Sequence, residues 1–449
     1  MRDFLPEDVR RREHVIGVIR QVYERYGCEP LETPAVENLE TLLGKYGEEG
    51  NKLIYKILKR GEHEKTGEAD LALRYDLTVP LARVVAHHQA KLPRLFKRYQ
   101  IQPVWRADRP ARGRFREFYQ CDVDALGSTS PIVEVELCAA VSDALVALGF
   151  TEFRIRLNHR RLLTSSLRRL GIADALHETA LVAVDKFDKV GADGVAVELG
   201  QRGVGQASID GFLALQELLS ARPVATGVSA SLDALGAVDR FLQAGPAGGD
   251  DEAASLENLR AILDLMRGTS AEARVGYDPF LARGLSYYTG AIMEVSVADL
   301  AGSLGGGGRY DNLVGMFSGQ SIPACGFSLG LERILVVMGE RGMFPASLPT
   351  APADVLVALF EASSAGASVR LAGRLRTQGL RVLVYPEADK LGKQIKYADG
   401  RGIPFVALLG ADELAAGTVT VKNLAAQTQL TYEQSAAGAA ILEALTRRG

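Results

Sequence analysis

The densest chemistry lies in residues 94–124, RLFKRYQIQPVWRADRPARGRFREFYQCDVD. From Arg94 to Arg116 this segment carries Arg94, Lys97, Arg98, Arg106, Arg109, Arg112, Arg114 and Arg116 against one acid, Asp108. The planar fork of arginine matches phosphate oxygens in pairs, so the pattern predicts a phosphate-binding hairpin; the alternative is a solvated loop whose charge serves solubility. Side chains alternate between faces along a strand, so Phe118, Gln120, Asp122 and Asp124 share one face and Tyr119, Cys121 and Val123 the other. Amide and carboxylate groups beside arginines suit a zwitterionic or phosphorylated ligand, or else a sheet surface that faces water.

Other candidates are single or paired. In LRYDLT, Asp76 and Thr78 share a face of an expected strand, and the carboxylate could hold an ammonium group. In RGLSYYTG, a regular strand would put Arg283 and Tyr287 on one face and Tyr288 on the other, although paired tyrosines also serve as plain core. Gly305–Gly308 is followed by neither GK[ST] nor GxGxxG spacing, so it reads as a loop without a phosphate or dinucleotide signature. Arg333 falls just inside a helix beginning near Gly330, where amides and a cation could meet an anion, or where it is an ordinary exposed arginine. Cys28, Cys121, Cys138 and Cys325 are too dispersed for zinc-ribbon or redox spacing, and the six histidines lack HExxH, so no structural metal is expected.

The elements that must position these residues follow from periodicity. Val15, Ile16, Ile19, Val22, Tyr23 and Tyr26 form a helical stripe that stops at Gly27. Residues 71–125 read as strand and turn, closing in an antiparallel hairpin with a long tip. A helix is expected from Ser130 to Leu148 and a strand across Phe153, Ile155 and Leu157; residues 171–265 read as a mostly helical insertion. Strand signals return in YDPFLARGLSYYTGAIMEV, and ACGFSLGLERI reads as a strand entering a helix. After a proline-punctuated linker, 342–352, a βαβαβ pattern predicts a small parallel-sheet domain.

With 449 residues, 47% hydrophobic and 24% charged, the composition is that of a folded globular chain and excludes a disordered, collagen-like or disulfide-scaffold protein. The net charge of −3 means that any polyanion must meet a local basic patch. A charged N-terminus, MRDFLPEDVRRREHV, and the lack of a run of about 18 apolar residues predict a cytoplasmic protein without a membrane span.

Taken in order, these pieces resemble the histidyl-tRNA synthetases, class II aminoacyl-tRNA synthetases, across essentially the whole chain. The helix with the Pro34 segment is similar to motif 1, VWRADRPARGRFREFYQCDVD to motif 2 and GFSLGLERI to motif 3; RGLSYYTG and GGGGRYDNLVG resemble the two histidine signatures. KLGKQIKYAD and GTVTVKNL resemble the anticodon-binding domain. The resemblance implies an α+β fold: a class II catalytic domain, an antiparallel sheet flanked by helices, in two parts (1–170 and 266–341), a helical insertion (171–265), the linker and an α/β anticodon-binding domain (353–449). It also implies a homodimer. The activity implied is ATP-dependent conversion of L-histidine to histidyl-adenylate and transfer to the 3′ end of tRNA(His), releasing AMP and pyrophosphate.

Residue by residue, the resemblance implies that Asp76, Leu77, Thr78, Arg106, Gln120, Asp124, Arg283, Tyr287 and Tyr288 bind histidine. Asp76 and Thr78 would hold the ammonium, and Asp124 and Tyr288 would read the imidazole. Arg106, Arg114 and Arg333 would bind ATP, with magnesium carried on its outer phosphates and no metal ligand from the protein. Arg106 and Arg283 would be catalytic, Arg283 as a cation beside the α-phosphate. Arg112, Arg114 and Arg116 are candidate contacts to the tRNA acceptor end. Many members have Asp where this chain has Ser286, which alters whatever that Asp contacts. The non-charging regulatory subunit of ATP phosphoribosyltransferase shares the fold but usually loses the anticodon domain and key arginines; here Arg106, Arg283, Arg333 and the C-terminal segment are present. Removal of one charge-stabilising group costs on the order of 10²–10³ in rate. Arg283→Ala is expected to lose that much turnover in pyrophosphate exchange, and near-normal turnover would remove the role.

Overall fold

The computed structural model describes the chain except residues 62–64, 221–225, 245–249, 283–286, 347 and 447–449; for 47–49, 188–189, 218–220 and 250 it describes the backbone alone. Val15, Ile16, Ile19, Val22 and Tyr23 are buried along the helix Pro6–Arg25, with Glu7 and Asp8 against the positive end of its dipole. Just beyond it, Gly27 takes φ +73°, a left-handed turn that glycine makes without a Cβ clash.

Two units make up the chain. One is Met1–Phe4 with Arg11–Met343; the other is Leu5–Arg10 with the chain from Phe344 onward. The first is built on an eight-stranded sheet whose spatial order is Glu29–Pro30, Phe96–Trp105, Glu117–Leu126, Ala324–Gly330, Gly305–Arg309, Ala291–Ser296, Arg154–His159 and Val275–Tyr277. Only the two outermost pairings are parallel. The central hairpin runs in register from Phe96 opposite Leu126 to Trp105 opposite Glu117, as its alternation predicts. One face carries the helix Ile132–Ala147, where the Cys138 thiol meets Met293 sulfur at 3.3 Å, and the side chain of Tyr23, whose hydroxyl donates to the Cys121 carbonyl at 3.2 Å. The chain between 171 and 265 is helical among its described residues; Ser231, on the helix Val228–Gln243, accepts the N–H of Tyr277 at 3.1 Å.

Three local expectations are corrected. LTVPLARVV is not a strand: the strand ends at Leu73, and Thr78–His88 is a helix. Asp76 accepts the N–H of Val79 at 3.1 Å as a helix cap, and Pro80 sits in the first turn, where its missing N–H costs nothing. Around YDPFLARGLSYYTGAIMEV the strands among the described residues are Val275–Tyr277 and Ala291–Ser296, and Tyr287 and Tyr288 lie in the connection between them. The glycine run is not a loop but the strand Gly305–Arg309, paired on both sides. The neighbouring backbone approaches so closely that a Cβ at Gly305 would meet the Ser328 carbonyl at 2.3 Å, and one at Gly307 the Gly326 carbonyl at 2.0 Å. Close approach overrides the poor strand propensity of glycine.

In the second unit Val382–Val384, Val355–Val357 and Phe405–Leu408 are parallel, as βαβαβ requires, and the sheet is extended by an antiparallel hairpin, Thr418–Asn423 and Thr428–Glu433. Val355 and Val357 face one core with Leu371 and Ile441, while Leu356 faces another with Ala398 and Ile403. Overpacking a tight site costs about 1–3 kcal/mol or more, whereas alanine for glycine in an open helix gains about 0.5–1 kcal/mol. Gly307→Ala is therefore expected to destabilise the protein in urea titrations by about 3 kcal/mol, and Gly17→Ala, with nothing within 4 Å of its Cβ, to stabilise it slightly.

Candidate active site

The first unit contains a cavity of about 510 Å³, within the range of small-ligand sites. It lies on the sheet where Glu117–Leu126, Ala324–Gly330 and the glycine strand run side by side, and its lining includes the hairpin tip around Gly113 and Arg114.

One end is carboxylate-rich. Asp76, held in the turn before the helix, is buried and accepts from the Tyr46 hydroxyl at 2.9 Å, the Tyr287 hydroxyl at 3.4 Å and the Val79 amide. Burial raises its pKa, against the lowering effect of these bonds and of Arg106. Thr78 lines the cavity beside it. Leu77 does not: its side chain is fully buried in the core, and its carbonyl accepts from Arg98 at 3.4 Å. Asp122 and Asp124 are also buried, and Arg98 lies 3.7 Å from the first and 2.8 Å from the second. Tyr310 donates its hydroxyl to Asp124, and Gly326 leaves room for that carboxylate, because a Cβ there would meet Asp124 Oδ1 at 1.8 Å. Burial pushes the pKa of Asp122 up to about 7, with Arg98 opposing and Asp124 reinforcing the rise. Gln120 donates to Ser328 Oγ at 2.9 Å, and its buried Oε1 has no hydrogen-bond partner among the described residues. Tyr287 and Tyr288 both line the cavity, their rings edge to face at 5.0 Å, rather than opposing each other across a strand.

The other end is cationic. Arg106 donates to the Tyr75 carbonyl at 3.1 Å and lies over the rings of Tyr75 and Phe118, at 4.2 and 5.1 Å. Arg114 pairs with Asp108, and Arg333 donates to the Ser303 carbonyl while passing between Gly113 and Gly302, both at positive φ. Of the eight hairpin cations only Arg106 and Arg114 line the cavity. Lys97 pairs with Glu136, Arg112 with Glu340, and Arg98 is sealed beneath the site, which corrects the reading of the whole run as phosphate-binding. Arg283 and Ser286 lie outside the described residues, among which no group of three His, Cys, Asp or Glu could hold a metal.

Spacing missed several participants. Tyr46 and Tyr310 hold the carboxylates from distant segments; no local signal marks Tyr46, and Tyr310 lies within GGGGRYDNLVG without a role read for it there. The ion pairing of Arg98 was available once hairpin register placed it opposite Asp124. Glu332, beside Arg333, accepts the Tyr119 amide at 2.9 Å, joining the motif 3 helix to the motif 2 strand. Burial pushes its pKa up to about 7. A carboxyl with a raised folded pKa binds more protons folded than unfolded, so its stabilising contribution is largest at low pH and is lost as pH rises from about 4.5 to 7. Glu332→Gln keeps an acceptor without the titration. Relative to the parent it is expected to gain on the order of 2–3 kcal/mol between pH 5 and pH 8 in denaturant titrations, and a pH-independent difference would refute the raised pKa.

The sequence matches the family model described as histidyl-tRNA synthetase over residues 1–334 and an anticodon binding domain over residues 354–444. It is 42% identical to the histidine–tRNA ligase of Porphyromonas gingivalis over 441 residues, covering 94% of each chain. It is also 42% identical to that of Gloeobacter violaceus, covering 97% of this chain and 96% of the relative. The crystal structure of histidyl-tRNA synthetase from Nostoc sp. PCC 7120 superposes with a TM-score of 0.79 at 31% identity, covering 98% of this chain and 97% of that one. An eight-stranded, mainly antiparallel sheet with one cavity divided between carboxylates and arginines, matched over nearly its full length to such relatives, establishes that this chain belongs to the histidyl-tRNA synthetase family of class II aminoacyl-tRNA synthetases.

Proposed function

We propose that the cavity activates L-histidine with ATP and that the chain then charges tRNA(His). The observation that carries this reading is one cavity in which Arg106 lies over Phe118 and, on the same strand face, Gln120 separates Phe118 from Asp122 and Asp124. An amino acid brings an ammonium to Asp76 and Thr78, a ring N–H to Asp124 with Tyr288 beside it, and a carboxylate toward Arg106. Gln120 Oε1, buried and without a partner among the described residues, supplies a further acceptor for the amino acid.

The arginine end suits a triphosphate. Arg106 meets the α-phosphate and the attacking carboxylate, while Arg114 and Arg333 hold the outer phosphates. The histidine carboxylate oxygen attacks the α-phosphorus, the bond to the bridging oxygen breaks, and pyrophosphate leaves. Fixed cations there stabilise the charge that develops on phosphorus without reorganising solvent. Arg283 is proposed to add a cation beside the same phosphate. Magnesium carried in with ATP would screen charge on the outer phosphates, and this scheme assigns it no ligand from the protein. In the second step the 3′-terminal hydroxyl of the tRNA attacks the adenylate carbonyl, and AMP leaves.

The same proposal divides the chain into catalytic parts 1–170 and 266–341, a helical insertion at 171–265 set against the acceptor stem, a linker at 342–352 and an anticodon reader at 353–449. It includes a cytoplasmic homodimer. Among the described residues no helix is long and apolar enough to cross a membrane.

The test is exchange of labelled pyrophosphate into ATP without tRNA, with each amino acid in turn. Exchange with histidine alone, at least on the order of 10⁴ above an isostere lacking the ring nitrogens, is expected of a site whose buried polar groups would otherwise go unpaired. Histidine binding by calorimetry without exchange would replace the enzyme reading with a regulatory one.

A further inference from the structure

Beneath the cavity, and not lining it, lies Arg98. Its side chain has no solvent exposure, an uncommon condition for arginine unless the charge is compensated. The hairpin register sets it directly opposite Asp124, so the two side chains rise on the same face of the sheet. One guanidinium nitrogen lies 2.8 Å from Asp124 Oδ2 and 3.7 Å from Asp122 Oδ2, and also donates to the Leu77 carbonyl at 3.4 Å. Another donates to Gln100 Oε1 at 3.1 Å. Gln100 in turn donates to Thr33 Oγ1 at 3.0 Å and Gln102 Oε1 at 2.6 Å.

This pattern joins two places that the functional reading gives to different parts of one ligand. Leu77 sits between Asp76 and Thr78, assigned to the ammonium; Asp124 is assigned to the imidazole. We propose that Arg98 is a positioning residue for amino-acid recognition: a single buried guanidinium holds the Asp124 carboxylate and the Asp76–Thr78 turn in one rigid frame, so that ring and ammonium are read at a set separation. This inference rests on the proposed histidine site. Arg98 touches no substrate in this scheme and acts through Asp124 and the Leu77 carbonyl.

The charge of Arg98 has a second effect. The groups facing Asp124 are Asp122 on its own strand, Arg98 on the hairpin partner and the Tyr310 hydroxyl after the glycine strand, while the adjoining strand presents only Gly326 and Ser328. Burial raises the pKa of Asp124, and Arg98 is the chief influence lowering it. Without that cation the carboxyl would hold its proton to higher pH, and a protonated Asp124 loses an acceptor for a ring N–H.

Pyrophosphate exchange, with KM for histidine and for ATP measured separately from pH 5.5 to 9, tests the inference. Arg98→Gln is expected to raise KM for histidine about 10- to 100-fold while KM for ATP stays within about twofold, and to move the acid limb for histidine upward by about one pH unit. Arg98→Lys keeps the charge but loses the fork. It should retain the parent's acid limb and raise KM for histidine several-fold, and it serves if the glutamine variant does not fold. An unchanged histidine KM and acid limb in either variant overturns the inference, as does a rise of both KM values in step, which marks a merely structural role. If the parent exchanges with histidine and these variants match it, only this inference fails; if the parent shows no histidine-dependent exchange, the functional reading fails and the inference with it.

Discussion

Three carboxylates, Asp76, Asp122 and Asp124, are buried around one cavity, and their mutual repulsion is the condition that the rest of the site satisfies. Uncompensated charges are not tolerated in a low-dielectric interior; they must be paired, hydrogen-bonded or neutralised by protonation. Each device is used here. Arg98 pairs with Asp124 and lies near Asp122, Asp76 is satisfied by two tyrosine hydroxyls and a helix-terminal amide, and Asp122 takes up a proton more readily than an exposed carboxyl does. Removing one partner from such a set leaves the others exposed to the full penalty, about 3–5 kcal/mol for a broken buried pair. The hairpin register, the turn at Leu77 and the helix start at Thr78 are therefore parts of one electrostatic solution.

The arginine end obeys a different rule. Arg106 is steered by the Tyr75 carbonyl and by the faces of Tyr75 and Phe118, and Arg333 donates to the Ser303 carbonyl. Arg106 over Phe118 and the acids at Asp122 and Asp124 occupy successive positions along one strand face, with Gln120 between them. A zwitterion joined to a polyphosphate has that same division of charge, and alternation along one strand supplies much of it.

Much of this is legible in the sequence. The alternation of Phe118, Gln120, Asp122 and Asp124 names four cavity residues directly, because period-2 patterning survives whatever packs on the other face. The helix stripe ending at Gly27 and the hairpin follow from equally local signals. What eludes local reading depends on partners far along the chain. Gly305–Gly308 carries no strand signal because its strand exists for the sake of neighbouring carbonyls, and Thr78–His88 has β-branched residues whose helix is set by the Asp76 cap. Arg98 is indistinguishable by type from Arg106 eight residues on; only register separates a structural cation from one that faces a ligand.

The strand of glycines also bears on how the amino-acid preference of such a protein could change. A surface made of peptide backbone has no side chains to exchange, and at Gly305 and Gly307 even one added methyl collides with the adjoining strand. Mutational drift there can abolish the site but cannot retune it. Any variation that selects a different ligand is channelled into the neighbouring side chains, Gln120, Asp122, Asp124 and Ser328, so a combinatorial library aimed at altered selectivity should diversify those positions and leave the glycines invariant.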